Sequence, residues 1–214
     1  MPSDIHLETY RNAVAQFITF TDEQWELFSA HLYTRRIRKR ELFIAAGKVC
    51  TEVGLVFTGS FRTFIERGDM EISNYFSFEG DLISSYKSFL RQEASRVNIE
   101  AMEDSVIICF TYDTIQTLVQ DERIALKMER FGRLVAEYLI CCYEDRMLTF
   151  VTKTPEERYL ELLSQQPSIL QKIPQYYLAN FLGITPVSLS RIRKRIQEEK
   201  PPNGCYSTRL AVLG

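Results

Sequence analysis

The stretch Leu178–Lys194 constrains the fold more than any other part of this 214-residue chain. Gly183 stands between two short segments with helical apolar spacing, and glycine takes the positive φ of a sharp turn at low cost. Ala179, one helical turn earlier, leaves room for a second helix to cross closely. The apolar positions that face a shared core are Leu178, Leu182, Ile184, Leu189 and Ile192. The pattern predicts two short helices that meet at a tight turn.

The second of these helices has a strong start signal and a polar outer surface. Thr185 is a favourable N-cap, and Pro186 follows at the first helical position. The side chains expected to be exposed are Val187, Ser188, Ser190, Arg191, Lys194 and Arg195. Small polar groups followed by cations suit a helix end that enters the major groove of DNA. The alternative is a generic helical hairpin with a solvated basic end.

Charge is distributed unevenly along the chain. Residues 1–150 carry 17 Lys and Arg against 23 Asp and Glu, a net charge of −6, whereas residues 151–214 carry 9 against 5, a net charge of +4. An acidic body with a basic C-terminal part is typical of a separate nucleic-acid-binding module. The run Arg35–Arg40 is also basic, but a solvated strand or helix end explains it better than a second nucleic-acid contact.

Several classes of function have no support in the sequence. There is no N-terminal apolar signal segment and no run of 18 apolar residues, so we expect a cytoplasmic protein without a membrane partner. The five cysteines lack a Cys-x-x-Cys pattern and are expected to be buried thiols in a reducing compartment. His6 and His31 are too isolated for a metal or haem site, so no metal and no cofactor are expected. No catalytic set of residues is recognisable, and we do not expect an enzyme.

The region from about residue 33 to residue 112 alternates short apolar runs with glycine-containing turn signals. The runs are Glu41–Ala45, Val53–Phe57, Ser60–Ile65, Glu71–Phe76, Asn98–Ala101 and Val106–Thr111. Regularly spaced short strands of this kind predict an all-β sandwich or barrel. Residues 4–32, which precede them, have helical spacing, with a capping box formed by Thr21 and Gln24.

Residues 114–150 are a long helical stretch without proline. Apolar side chains recur there at alternating spacings of three and four, which is the heptad pattern of a coiled-coil seam. The seam residues are Met128, Phe131, Val135, Tyr138 and Cys142. The alternative is a helix packed on its own barrel, and a helix that is apolar on more than one face can do both. We predict a homodimer, because helix-turn-helix proteins commonly bind two half-sites as dimers.

A break at residues 151–154 separates this helix from the next one. Thr154 is the expected N-cap, and the leucines expected to face inward are Leu160, Leu162 and Leu163. The predicted domains are a sensor at 1–113, a dimerisation helix at 114–150, a helix-turn-helix domain at 151–200 and a tail at 201–214. The predicted fold class is α+β, with an N-terminal β-barrel or jelly-roll sensor domain, a long dimerisation helix and a C-terminal helical domain.

Taken in order, these parts resemble the Crp/Fnr family of bacterial transcription regulators over about residues 5–196. The segments that carry the resemblance are 43–47, 56–60, 78–83, 148–152 with Arg158, and the C-terminal segment 178–194. The resemblance implies a cyclic-nucleotide-binding-type barrel, a dimer helix, a hinge and a helix-turn-helix. It also implies double-stranded DNA, a second copy of the chain and RNA polymerase as partners, together with a small-molecule effector.

The resemblance also assigns roles along the recognition helix. The positions that contact bases in the family correspond to Pro186, Val187 and Arg191, and Arg191 is the expected guanine contact. The expected phosphate contacts are Thr185, Ser188, Arg193 and Lys194, with Ser190 on the same exposed side. Members of the family that carry arginine and glutamate early in this helix have Pro186 and Val187 here instead, so we expect a different target sequence. The short connection 166–174 leaves no room for the β-hairpin wing of many family members.

The cyclic AMP pocket of the family lacks its charged groups in this sequence. The family's ribose-binding glutamate falls at Ser85, and its phosphate-binding arginine falls at Ser95. Arg96 is adjacent, but neighbours in a strand point to opposite faces. A buried phosphate without a cationic partner is costly, so we expect no cyclic AMP binding in the usual mode. The candidate pocket for another effector comprises Ser84, Ser85, Arg91, Ser95 and Arg96.

The sequence therefore predicts a homodimeric, sequence-specific DNA-binding transcription regulator of the Crp/Fnr type. The alternative is a ligand-binding module that regulates a protein partner rather than DNA. Alanine substitution of Arg191 and Lys194 distinguishes the two, because only the first hypothesis requires those cations for retention on DNA.

Overall fold

The computed structural model describes residues 2–68, 70–165 and 172–198, and the chain divides into two compact units, Met1–Thr152 and Lys153–Gly214. The first unit contains α1 Asp4–Val14, α2 Asp22–Ser29, β1 Tyr33–Ile37, β2 Leu42–Ile44, β3 Glu52–Thr58, β4 Phe61–Arg67, β5 Met70–Ser77, β6 Leu82–Ile83, α3 Tyr86–Arg91, β7 Asn98–Ala101, β8 Ser105–Thr111, α4 Tyr112–Leu118 and α5 Ala125–Thr152. The second unit contains α6 Pro155–Gln165, α7 Gln175–Leu182 and α8 Pro186–Glu198. The predicted tail at 201–214 and most of the short connection 166–174 lie outside the described residues.

The eight strands form two antiparallel sheets, with the orders β1-β8-β3-β6 and β2-β7-β4-β5. Strand β1 pairs with β8, β2 with β7, β3 with β6 and β4 with β5, so the chain follows the path of one long hairpin rolled across two sheets. This is a jelly-roll arrangement. Of the expected barrel or jelly roll, the described residues form the jelly roll of two sheets and no closed barrel. Strand β6 is short and pairs with β3 only at Gly54 and Leu55.

An aromatic cluster joins the N-terminal helices to the sheet and to α5. The buried Phe28 ring of α2 lies 5.6 Å from Phe110 of β8 and 6.4 Å from Phe131 of α5, centroid to centroid. The predicted capping box orients α2, since Thr21 Oγ1 accepts from the Gln24 N–H at 3.3 Å and Gln24 Oε1 accepts from the Thr21 N–H at 3.2 Å. That prediction is confirmed.

The helix predicted over 114–150 is interrupted, because α4 ends at Leu118 and α5 begins at Ala125. Asp121 makes the break. Its carboxylate accepts from the Arg123 N–H at 3.0 Å, and its carbonyl accepts from the Ala125 N–H at 2.7 Å. These bonds close a turn before α5 and give it a new start. Helix α5 then runs for 28 residues.

Candidate nucleic-acid interface

The second unit is built around the turn at Gly183. Its φ of 73° is the left-handed value that glycine adopts without strain, and the Ile184 N–H closes the end of α7 by donating to the Ala179 carbonyl at 3.0 Å. The buried side chains of the two flanking helices are Leu178, Ala179, Leu182, Leu189 and Ile192. The predicted turn and its apolar contacts are therefore present, and α8 is a separate helix with one side buried.

Thr185 and Ser188 form the cap of α8. Thr185 Oγ1 accepts from the Ser188 N–H at 3.1 Å, and the two hydroxyl oxygens lie 3.0 Å apart. The predicted N-cap is confirmed. Both hydroxyls are engaged with each other at the helix start, which reduces what they can offer to a ligand.

The outward face of α8 lies opposite its buried residues Leu189 and Ile192. We use this term for the exposed residues at helical spacings of three and four: Val187, Ser190, Arg191 and Lys194. Among the described residues, Arg191 makes no hydrogen bond or ion pair. Lys194 lies 3.7 Å from Glu198 with both side chains largely exposed, which is a weak surface pair. The outward face therefore presents two cations to solvent.

The other two cations of α8 are tied to α6. Arg193 Nε donates to the Tyr159 hydroxyl at 3.0 Å, and its guanidinium carbon lies 5.7 Å from the centre of that ring. Arg195 Nε donates to Glu156 Oε1 at 3.1 Å. The sequence predicts Arg193 at a DNA phosphate. In the structure, Arg193 is half-buried and joins α8 to α6, and its phosphate contact stays a prediction.

Two residues of α6 contact the α7–α8 pair without a clear signal in the sequence. Tyr159 is 5% exposed, whereas Leu160, which is predicted to face inward, is 41% exposed. Arg158 Nη2 donates to the Leu182 carbonyl at 2.9 Å, next to the Gly183 turn. The Leu160 prediction is wrong because the neighbouring Tyr159 takes the buried position, where its hydroxyl accepts a hydrogen bond from Arg193, while Leu162 and Leu163 are half-buried. The only sequence feature that pointed to Arg158 was its position beside the predicted hinge.

The expected effector residues separate into two groups. Ser85 and Ser95 are buried, and Ser95 Oγ donates to Ser85 Oγ at 2.9 Å, while Ser84 Oγ donates to the Glu52 carbonyl at 3.0 Å. Arg91 and Arg96 are exposed. The two positions that the family resemblance aligns with its pocket thus lie together and carry neutral hydroxyls, while Arg96, the next residue in the chain, is exposed.

The expected dimer-seam residues differ in how deeply they are buried. Met128, Phe131 and Val135 are buried in the core of their own unit, because α5 covers the aromatic cluster; the Phe131 ring lies 6.2 Å from Phe20. Tyr138 is half exposed, with its ring 5.4 Å from Phe17. Cys142, on the same side, is half-buried, and Cys141 is exposed, so the expectation of a buried thiol is wrong for Cys141. Met128, Phe131 and Val135 therefore face the core of their own unit. The exposed apolar residues of α5 lie on another side, and include Ile140, Tyr143, Met147, Phe150 and Val151.

Membrane-spanning helices and metal-binding groups are both absent from the part of the chain that the structure describes. Within residues 2–68, 70–165 and 172–198, no helix has both the length and the apolar character to span a bilayer. In the same ranges, no three His, Cys, Asp or Glu side chains gather into a group that could hold a metal ion.

Comparison with known proteins identifies the fold. No family model matches the sequence, and no curated protein is detectably related to it. The structure is similar to FixK2 from Bradyrhizobium japonicum, with a TM-score of 0.65 and 20% identity over 78% of this chain and 85% of that one. It is similar to the c-di-GMP-responsive global regulator CLP of Xanthomonas campestris, with a TM-score of 0.66 and 19% identity over 84% of this chain and 93% of that one.

A third solved structure agrees with these two. It is a transcriptional regulator of the Crp/Fnr family from Eubacterium rectale, with a TM-score of 0.62 and 22% identity over 84% of this chain and 85% of that one. The similarities show that the chain has a Crp/Fnr-type fold, as the sequence resemblance implied. CLP and the Eubacterium rectale protein are both named as regulators.

Proposed function

We propose that this protein is a sequence-specific transcription regulator that binds double-stranded DNA through the outward face of α8 and acts as a homodimer. One observation carries the proposal. Arg191 and Lys194 lie on the exposed side of a helix whose other side is fixed by Leu189 and Ile192, and among the described residues they have no strong intramolecular partner. A firmly held helix with an exposed polar and cationic side fits the major groove, which admits one α-helix.

The division of charge along α8 supports the same interface. Arg193 and Arg195 fix the helix to α6, so they hold the outward face in place rather than enlarge it. Arg191 is the base-contacting residue of this proposal, because a guanidinium can bond both acceptors of guanine. Lys194, one turn closer to the helix end, contacts a phosphate as a point charge.

The decisive experiment removes the two outward cations together. In full-length protein with Arg191→Ala and Lys194→Ala, we expect at least tenfold weaker retention on genomic DNA fragments, because the variant can neither bond a guanine nor release a counterion at these positions. The matched control is Arg36→Ala with Lys39→Ala, which removes the same charge from the exposed part of the basic run in the first unit.

The outcome separates DNA binding from the alternative. Loss of retention in the α8 variant alone supports the proposal. Unchanged retention in that variant would favour regulation of a protein partner instead. Equal loss in both variants would mean that DNA binding depends on the overall charge of the protein, and it would contradict a specific interface on α8.

The homodimer is proposed on the exposed side of α5. Ile140, Tyr143 and Met147 are large, apolar and exposed, and their spacings of three and four keep them on one helical face. An exposed apolar stripe on a helix is stabilised when a second copy packs against it. The proposed seam therefore differs from the one expected from Met128, Phe131 and Val135, which are already buried.

Charge introduced into this stripe tests the dimer. We expect Ile140→Glu with Tyr143→Glu to shift the protein from dimer to monomer in sedimentation equilibrium, because two carboxylates per chain cannot be buried unpaired. Leu90→Glu is the matched control, since Leu90 is a similarly exposed apolar residue on α3. A wild-type protein that sediments as a monomer at micromolar concentration would contradict this part of the proposal.

Cyclic AMP in the usual family mode is not the proposed effector. The Ser85–Ser95 hydroxyl pair provides no cation for a cyclic phosphate, and Arg91 and Arg96 are exposed. Titration calorimetry with cyclic AMP is expected to show no binding. A micromolar dissociation constant would overturn this point while leaving the DNA interface unaffected.

A further inference from the structure

The outward face of α8 begins with an apolar side chain. Val187 is 61% exposed in the first turn of the helix, next to Pro186. The nearest hydroxyls, those of Thr185 and Ser188, bond to each other in the cap. The part of the helix that would enter the groove first therefore presents a branched hydrocarbon group, with the polar members of the face, Ser190 and Arg191, following it.

The chemistry of the major groove limits what this group can recognise. Thymine alone among the four bases carries a methyl group at its groove edge, beside its O4 acceptor. Guanine, adenine and cytosine place hydrogen-bonding groups at their groove edges. These would be desolvated against a valine side chain without gaining a partner, which is unfavourable. Contact between the valine and thymine methyl groups removes apolar surface from water on both sides.

We infer that Val187 is a specificity-determining residue that contacts the 5-methyl group of a thymine in each half of the bound site. This inference rests on the proposed function and deepens it. Arg191 lies one turn further along the same face, about 6 Å along the helix axis. The thymine therefore lies within about two base pairs of the guanine that Arg191 contacts, given a rise of about 3.4 Å per base pair.

The test removes the methyl group from the DNA alone. The probe is the duplex that full-length protein selects from random-sequence double-stranded DNA. Each thymine of that duplex is replaced in turn by deoxyuridine, symmetrically in both half-sites, which deletes the methyl and keeps every hydrogen-bonding group. At one position per half-site we expect binding to weaken about fourfold for each thymine methyl group removed.

Two protein variants complete the test. Val187→Ala is expected to bind the thymine and deoxyuridine duplexes equally, because it lacks the side-chain methyl groups that make the contact. Val187→Ile keeps the branched apolar group and is expected to keep the discrimination. The side chain is exposed, so we expect the same thermal unfolding midpoint for both variants as for the wild type.

Each result has one meaning. Discrimination by the wild type and Val187→Ile, but not by Val187→Ala, supports the contact. If no deoxyuridine duplex binds more weakly, or if Val187→Ala discriminates as well as the wild type, the inference is wrong and the DNA-binding proposal stands. If selection enriches no sequence at all, sequence-specific binding itself fails, and the inference fails with it.

Discussion

Arg62 in the first unit and Arg191 in the second have opposite surroundings. Arg62 is 2% exposed, and its guanidinium lies 2.6 Å from Glu71, 3.0 Å from Glu100 and 4.0 Å from the centre of the Phe64 ring. Arg191 is exposed and makes no such contact among the described residues. In the first unit, two strands bring carboxylates to either side of the cation. In the second unit, Arg191 lies on the exposed side of α8, where a ligand can reach it.

Arg193 shows why the number of charges does not define an interface. It is two residues from Arg191 on the same helix, yet it bonds to Tyr159 and fixes the helix to α6. A basic segment can therefore contain both cations that hold the fold together and cations that remain exposed. We therefore expect Arg62 to stabilise the fold strongly, Arg193 to stabilise it moderately and Arg191 to bind a ligand. The following substitutions test the two structural roles, together with the neutral buried hydroxyl of Tyr10.

The largest effect is expected at Arg62. Replacing it with alanine leaves the Glu71 and Glu100 carboxylates without their cation, and we expect the free energy of unfolding to fall by about 3–5 kcal/mol. Urea denaturation followed by circular dichroism measures this change. A decrease below about 1 kcal/mol would show that Arg62 contributes no more than an exposed surface cation does. It would then not differ from Arg191 in its contribution to stability.

An intermediate effect is expected at the tie between α8 and α6. Arg193→Ala is expected to lower the free energy of unfolding by about 1–3 kcal/mol, and Tyr159→Phe, which keeps the ring, by about 1 kcal/mol. Arg193→Ala is also expected to leave the salt dependence of DNA binding unchanged, because this half-buried cation is already bonded to Tyr159. If Arg193→Ala instead reduces the slope of affinity against salt concentration, Arg193 contacts a phosphate.

The smallest effect is expected at Tyr10, whose hydroxyl is buried and has no hydrogen-bond partner among the described residues. Tyr10→Phe removes that unpaired group, so we expect an increase of about 1 kcal/mol in the free energy of unfolding. Burial raises the pKa of Tyr10 above its ordinary value of 10.0. The folded state therefore keeps the phenol protonated above the pH at which the unfolded chain releases the proton. The ionisation of Tyr10 does not change the free energy of unfolding below pH 10 and lowers it as the pH rises above 10. Denaturation at about pH 8 and about pH 11 is expected to show a smaller alkaline decrease in Tyr10→Phe than in the wild type.

Local features were predictable from the sequence because they depend on a few neighbouring residues. The Thr21–Gln24 capping box, the Thr185 cap and the Gly183 turn each need only one short segment and are present as expected. Strands β3, β4, β5, β7 and β8 also fall where the apolar runs and turns placed them. The two-residue strand β6 has no pattern of its own, since its pairing with Gly54 and Leu55 alone defines it.

Features that depend on distant contacts were not predictable. A heptad pattern marks a buried helix side, but it does not tell whether that side meets the protein's own core, as Met128 and Phe131 do, or a second copy. Likewise, the spacing of cations on α8 does not reveal that Tyr159, 34 residues earlier, bonds to Arg193. Neutral hydroxyls at Ser85 and Ser95 were expected from the sequence, but their mutual hydrogen bond required the fold.

The salt dependence of DNA binding tests the central claim most directly. The dissociation constant of full-length protein for a selected duplex is measured between about 50 and about 200 mM salt, and the same series is repeated with Lys194→Ala. We predict a steep decrease of affinity for the wild type, and a logarithmic slope that is smaller by about 1 for the variant, because one phosphate contact is missing. Affinity that does not change with salt, or identical slopes for both proteins, would contradict binding of DNA through the outward face of α8.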